Sequence, residues 1–244
     1  MSVFASPSFH DHEQVVFCRD AAAGLRAIIA IHDTTLGPAL GGCRIWAYPD
    51  DDAALEDVLR LSRGMTYKAA LARLPYGGGK AVIIADARHD KTPALMQAFG
   101  RAVDRLGGRY ITAEDVGTSP DDMMEVHKST GHVVGIAAGS KWDGDPSPAT
   151  AWGCFHGLRA TVRHALGRDD LAGLRVAIQG LGHVGWALAG FLHEVGAELT
   201  VTDIDSARLD TAKREFGATV VEPDRIYDAT ADVFAPCALG AVLN

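Results

Sequence analysis

Two glycine clusters frame the side chains of this sequence best placed to do chemistry. The first, Gly77-Gly78-Gly79-Lys80, runs directly into an apolar stretch that ends at Asp86. Glycine followed by lysine is one ingredient of a phosphate-binding loop. That motif, however, is glycine, four residues, Gly-Lys and then a hydroxyl residue, set between a strand and a helix. Ala81 occupies the hydroxyl position, and Ala81 to Ala85 reads as a short buried strand, so these glycines come before a strand. The expectation is a lysine at a strand mouth, approached closely by backbone that carries no side chain.

The second cluster has the context its chemistry requires. Leu174 to Gln179 reads as a strand, Gly180, Gly182 and Gly185 form GxGxxG around His183 and Val184, and His183 to Val195 has helical periodicity. A further strand, Glu198 to Thr202, ends at Asp203. This is a βαβ dinucleotide fingerprint: Gly180 makes the tight turn, Gly182 lets a pyrophosphate approach the backbone, and Gly185 allows close helix-to-strand packing. The helix N-terminus favours the phosphate charge, which places His183 and Val184 beside it. Asp203 should accept from the adenosine ribose 2′-hydroxyl and repel a 2′-phosphate, which selects NAD over NADP. Ala235 and Pro236, in the loop after an expected strand Ala231 to Phe234, fall where ligands of open α/β sheets bind, near the nicotinamide. Glycines serving only turns and packing would leave the position of Asp203 unexplained.

The elements that must position these groups alternate along the chain. Glu13 to Cys18 and Leu25 to Ile31 look like two antiparallel strands joined by a turn. Asp50, Asp51 and Asp52 precede a helical face of Leu55, Val58, Leu59 and Ser62, in a helix that runs toward Tyr67. Then follow the glycine-lysine strand, a helix from Thr92 to Leu106, a strand at Tyr110 to Thr112, and a helix opened by Ser119, Pro120 and Asp122. Gly, Asp, Ser and Pro cluster from Gly139 to Pro148, which sets a domain boundary: residues 1–145, then 146–244.

Composition excludes several partners. The formal charge is −8, from 23 basic and 31 acidic residues interspersed without a basic block, which argues against nucleic acid and anionic membrane surfaces. No apolar run reaches the ~18 residues of a membrane span, and the first residues lack the pattern of a secretory signal, so a cytoplasmic protein with a small-molecule ligand is expected. The four cysteines are far apart and form no CxxC pair, and neither the ten histidines nor the acidic runs make a metal constellation.

Six ordered motifs carry a resemblance over most of the chain: GPALGGCR (Gly37 to Arg44), RGMTYKAA (Arg63 to Ala70), GGGKAVI (Gly77 to Ile83), YITAEDVGT (Tyr110 to Thr118), GDPSPATAWG (Gly144 to Gly153) and APCALGAVLN (Ala235 to Asn244). They resemble the leucine, phenylalanine and valine dehydrogenase branch of the amino-acid dehydrogenases, related to glutamate dehydrogenase. The resemblance implies an α/β protein: an N-terminal α/β substrate domain with a mixed sheet, a Rossmann NAD-binding domain, and catalysis between them. It implies reversible oxidative deamination of an amino acid to a 2-oxo acid and ammonium, and a homo-oligomer assembled through the first domain.

By the same resemblance Lys80 takes a proton from the substrate ammonium and assists water attack on the imine, Lys68 holds the α-carboxylate, and Asp115 shuttles protons. The lowered pKa that Lys80 needs would come from burial and from the charge of Lys68. Thr150 resembles the threonine that bonds the nicotinamide carboxamide, although a helix-capping role is equally open. Leu40 and Gly41 replace the Lys-Gly of glutamate-specific relatives. An apolar substrate is therefore expected, leucine or valine favoured over phenylalanine or tryptophan, with Met65, Ala113 and Val134 around its side chain. The nucleotide domain has four of the six strands of a complete fold, so the chain reads as C-terminally truncated. A catalytically silent binding or assembly protein is the competing expectation.

Overall fold

A computed structural model describes residues 2–136 and 146–238. The chain divides into two compact units, residues 1–145 and 146–244.

The first unit is built on a five-stranded mixed sheet. Strands β1 (Gln14–Asp20) and β2 (Leu25–Asp33) form an antiparallel hairpin, and β2 pairs antiparallel with β4 (Gly77–Ile84). Strand β3 (Ala39–Trp46) runs parallel to β4 on one side and to β5 (Tyr110–Glu114) on the other, giving the order β1-β2-β4-β3-β5. Helix α1 (Asp51–Leu71) starts where Asp50 accepts from Ala53 N–H at 2.8 Å, with Asp51 and Asp52 favourably placed in its first turn. Helices α2 (Pro93–Asp104) and α3 (Pro120–His127) open on the side chains of Thr92 and Ser119, the latter in a capping box with Asp122.

Alternation along the strands sorts side chains onto two faces. Ala27, Ile29, Ala39, Cys43, Ile45, Ala81 and Ile83 pack with Phe99, Val103, Met123 and Val126 of α2 and α3. On the other face Ile28, Ala30 and Val82 pack with Ala54, Leu55, Val58 and Leu59 of α1. Lys80 alternates with Ala81 and so belongs to the α1 face.

The three glycines lie inside β4 and are buried, which corrects the expectation that they precede a strand whose mouth carries the lysine. Their function is packing: a Cβ at Gly78 would collide with Thr66 and with Ser62 O of α1, and a Cβ at Gly79 would meet the Tyr110 ring at 2.7 Å. Lys80 accordingly sits mid-strand in the central strand of the sheet, opposite Ala30.

The second unit is an open parallel sheet of order β8-β7-β6-β9, formed by β6 (Arg175–Gln179), β7 (Glu198–Thr202), β8 (Thr219–Val220) and β9 (Val233–Pro236). Helix α4 (Ser147–Leu166) precedes it, while α5 (His183–Glu194) and α6 (Ser206–Phe216) are crossovers. Leu158, Val162, Val176, Ile178, Leu188, Leu192 and Val201 form its core. Most of the boundary segment expected at Gly139 to Pro148, and the last six residues of the final motif, lie outside the described residues.

Candidate functional site

Lys80 is 5% exposed, and its ammonium lies 2.9 Å from Asp115 Oδ2. Asp115 follows β5 in a turn closed by Thr118. The Thr118 hydroxyl accepts the Asp115 N–H at 2.8 Å and has the Asp115 and Cys43 carbonyls at 2.9 and 3.0 Å, which ties the turn to β3. Asp115 Oδ2 also accepts from Arg44 Nε at 3.1 Å. Arg44 Nη1 donates to Asp57 Oδ2 at 2.8 Å, and the Tyr48 hydroxyl donates to the same oxygen at 2.6 Å. Five side chains drawn from β3, α1, β4 and two connections thus form one chain, Lys80–Asp115–Arg44–Asp57–Tyr48.

Burial lowers the pKa of Lys80; the Asp115 carboxylate opposes this and the Arg44 charge adds to it, leaving a net lowering. Burial alone would raise Asp115, but the charges of Lys80 and Arg44 outweigh it and hold the carboxyl below its ordinary range. Burial and the Asp57 carboxylate push the Tyr48 phenol up. The positive neighbour of Lys80 is therefore Arg44, in place of the Lys68 that the sequence suggested. Lys68 is exposed in the last turn of α1 and enters no ion pair among the described residues.

The α1 face of the sheet gathers most of the other expected residues. Leu40 and Ala113 are half-buried on β3 and β5 and alternate with residues directed to the opposite face. Val134 follows Val133, which pairs with Thr112 and packs into the opposite core, so alternation turns Val134 outward on this side. Met65 is half-buried on α1, three residues before Lys68, so the two share one side of that helix. Gly41 does not join them. It is on the opposite side of β3, a Cβ there would collide with Gly79 O, and its carbonyl accepts from the buried Tyr110 hydroxyl at 2.6 Å.

In the second unit the fingerprint glycines differ in their surroundings. Gly180 has φ +94°, and a Cβ on it would meet Ala238 N at 2.8 Å; a Cβ on Gly185 would strike Gly180 O. At Gly182 the nearest atom would be Arg208 Nη1, 3.9 Å away. Gly182 is also the N-cap of α5, and His183 and Val184, exposed and half-buried, form its first turn. Asp203, one residue beyond β7, accepts the N–H groups of Leu181 and Asp205. Thr202 Oγ1 and Gln179 Oε1, at the carboxyl ends of β7 and β6, are buried without a hydrogen-bond partner among the described residues. A turn glycine, an open glycine, a packing glycine and an acid at the next strand end fit a dinucleotide.

Two expectations need correction. Ala235 and Pro236 are the last residues of β9 rather than loop residues, and Ala235 packs into the core. Thr150, in the first turn of α4, does not cap it; its hydroxyl donates to Pro146 O at 2.9 Å. Arg44 and Arg208 carried no expectation from sequence. Arg208 Nη1 donates to Leu181 O at 2.7 Å, inside the glycine loop.

A mixed-sheet unit holding a buried lysine–aspartate pair, followed by a glycine-loop parallel-sheet unit, defines the dehydrogenase class of architecture. Comparison with known proteins specifies it. The model "Glu/Leu/Phe/Val dehydrogenase, dimerisation domain" matches residues 12–132, and "Glutamate/Leucine/Phenylalanine/Valine dehydrogenase" matches residues 144–212. Leucine dehydrogenase of Thermoactinomyces intermedius is 52% identical over 244 residues, covering 100% of this chain and 67% of that protein. Phenylalanine dehydrogenase of Bacillus thermotolerans is 53% identical over 239 residues, covering 96% and 63%. The crystal structure of L-tryptophan dehydrogenase from Nostoc punctiforme superposes with a TM-score of 0.69 at 50% identity, covering 96% of this chain and 66% of that one. The chain belongs to the Glu/Leu/Phe/Val dehydrogenase family, whose members are NAD(P)-dependent amino-acid dehydrogenases. Among the described residues no helix is long and apolar enough to cross a membrane, and no cluster of metal-ligating side chains is present.

Proposed function

We propose that this chain catalyses NAD-dependent, reversible oxidative deamination of an apolar L-amino acid, with leucine and valine preferred. The observation that carries this reading is the buried Lys80 held 2.9 Å from Asp115. Burial lowers the pKa of Lys80 and so favours the free amine, the form that can take a proton from the substrate ammonium. Bound NAD supplies the acceptor for the hydride that leaves the substrate Cα. Lys80 then assists water attack on the resulting imine, while Asp115, kept ionised by two cations, receives and returns a proton during hydrolysis. Lys68 provides an exposed cation for the α-carboxylate. Leu40, Met65, Ala113 and Val134 present an apolar surface without a charge for a side-chain carboxylate, which disfavours glutamate.

Asp203 supports NAD over NADP, and Gly182 leaves room for the pyrophosphate, with His183 and Val184 at the helix start beside it. Thr150 and the end of β9 at Ala235 and Pro236 are assigned to the nicotinamide side. On this reading residues 1–145 form the substrate and catalytic domain and 146–244 the nucleotide domain. The family description "dimerisation domain" over residues 12–132 supports a homo-oligomer. The test is NAD reduction with leucine, valine, phenylalanine, tryptophan and glutamate, repeated with NADP. Turnover of apolar substrates with NAD, abolished by Lys80→Ala, is expected. Turnover of glutamate alone, or equal rates with NADP, would sink the substrate or cofactor assignment.

A further inference from the structure

Arg44 has a position that its motif did not announce. It is on β3 with its side chain 17% exposed, and it bridges two carboxylates from different elements: Asp115 after β5 and Asp57 on α1. Its Nε–H and Nη1–H groups leave a rigid planar fork, so the direction of one contact constrains the other. Tyr48 holds the distal carboxylate by donating to the same Asp57 oxygen that Arg44 uses. At the near end, Arg44 and Lys80 converge on Asp115 Oδ2. The two cations therefore share one oxygen of that carboxylate.

We infer that Arg44, anchored by Asp57 and Tyr48, is a positioning residue that pins Asp115 through Oδ2, keeps Lys80 beside it, and leaves Oδ1 as the oxygen that exchanges protons. This deepens the amino-acid dehydrogenase reading and rests on it for the identity of the reaction. The arrangement has a physical reason. A lone Lys80–Asp115 pair in a buried site would tend to remain a closed ion pair, with the lysine protonated and the carboxylate free to rotate. A second cation shares the Asp115 charge, so less of it stabilises the lysine ammonium, and the fork fixes the carboxylate plane. A lysine in place of Arg44 would keep the charge and lose the fork. The outer carboxylate is needed because an arginine held by Asp115 alone could follow that side chain wherever it turned.

The test compares Arg44→Met, Arg44→Lys, Asp57→Asn and Tyr48→Phe in the purified protein with NAD and the best apolar substrate. Steady-state kinetics across pH are read alongside the pH dependence of Lys80 labelling by an amine-reactive reagent, quantified on the Lys80 peptide. Arg44→Met should lose about a hundredfold in kcat with the amino-acid KM within about threefold. Its Lys80 labelling curve and the acidic limb of its rate profile should both move to higher pH. Arg44→Lys should restore the labelling curve while recovering only part of kcat, which separates charge from fork. Because Arg44→Met leaves Asp115 with Lys80 alone and Asp57 with Tyr48 alone, and is the variant most exposed to misfolding, Asp57→Asn and Tyr48→Phe keep the question open to refutation. Each should lower kcat severalfold at unchanged KM. Wild-type kcat and pH profiles in both outer variants, or an unmoved labelling curve in folded Arg44→Met, would overturn the inference. Labelling that shifts in a protein inactive toward every amino acid would refute the proposed reaction while retaining the Arg44–Asp115–Lys80 linkage.

Discussion

A Cβ added at Gly78 would run into the backbone and hydroxyl of Thr66, whereas one added at Gly182 would find its nearest atom, an arginine nitrogen, 3.9 Å away. Both glycines belong to short runs that look like ligand loops, yet they do different things. In the first unit the space of the missing side chains is occupied by protein: α1 rests on β4, and the proposed chemistry falls to charged side chains in a fixed network. In the second unit the loop keeps one glycine open, and recognition is assigned to backbone and a single acid. Glycine clusters therefore mark close approach; what approaches is decided by whether the space is already filled.

The comparison can be broken at its strongest point first. Lys80→Ala removes the buried lysine proposed as the base, and kcat should fall about a thousandfold in NAD-reduction assays; a loss below tenfold would remove the lysine from the chemistry. Next, Gly78→Ala should destabilise the protein by about 2–3 kcal/mol, because neither the Thr66 backbone nor Ser62 O can yield without displacing α1. Urea unfolding measures this, and a change under about 0.5 kcal/mol would contradict the packing role. Gly182→Ala should reverse the pattern, with stability within about 1 kcal/mol and KM for NAD raised about tenfold. Wild-type KM in that variant would deny the open glycine its ligand.

The smallest effect concerns acid. His12 is buried between the N-terminal segment and α1, with Nε2 3.0 Å from Leu59 O and from Ser62 Oγ, and Nδ1 accepting the His10 N–H at 3.2 Å. Burial lowers its pKa below the ordinary 6.5, and that of His32 beside it as well. A histidine whose folded pKa is depressed binds fewer protons folded than unfolded, so its contribution is complete above pH 6.5 and is lost as pH falls through the folded value. Hydrogen exchange should show protection in β1–β4 falling over that range more than in β6–β9. An equal fall in both sheets would assign the acid response elsewhere.

Local chemistry decided what could be read before the structure. The hairpin of β1 and β2, the capped starts of α1, α2 and α3, and the β6–α5–β7 unit each carry signals within a few residues: alternation, Asp, Ser or Thr before a helix, Pro at its first position, and the fingerprint glycines. Strand β3 was invisible because Gly37-Pro38-Ala39-Leu40-Gly41-Gly42 has neither alternation nor β-branched residues; it is a strand only because β4 and β5 pair with it. The glycines of β4 read as lying outside the strand for the same reason. In the site, Lys80 and Asp115 stand out by their motifs and the structure brings the two together, whereas Lys68, singled out in the same way, is exposed on α1. Arg44 does not stand out, since one arginine after a glycine run looks like surface charge until Asp57 and Asp115, 13 and 71 residues away, are brought to it.

Asp203 has a structural consequence of its own. Its carboxylate already grips the Leu181 amide within the glycine loop and the Asp205 amide ahead of α6. A nucleotide arriving there would meet a loop that had surrendered its conformational freedom during folding, so that little ordering entropy would remain to be lost on association. The same carboxylate would then be both latch and reader. Any replacement made to retune cofactor preference at this position also loosens the latch, and the two effects will travel together unless a second residue, such as Arg208 on the Leu181 carbonyl, is strengthened to hold the loop.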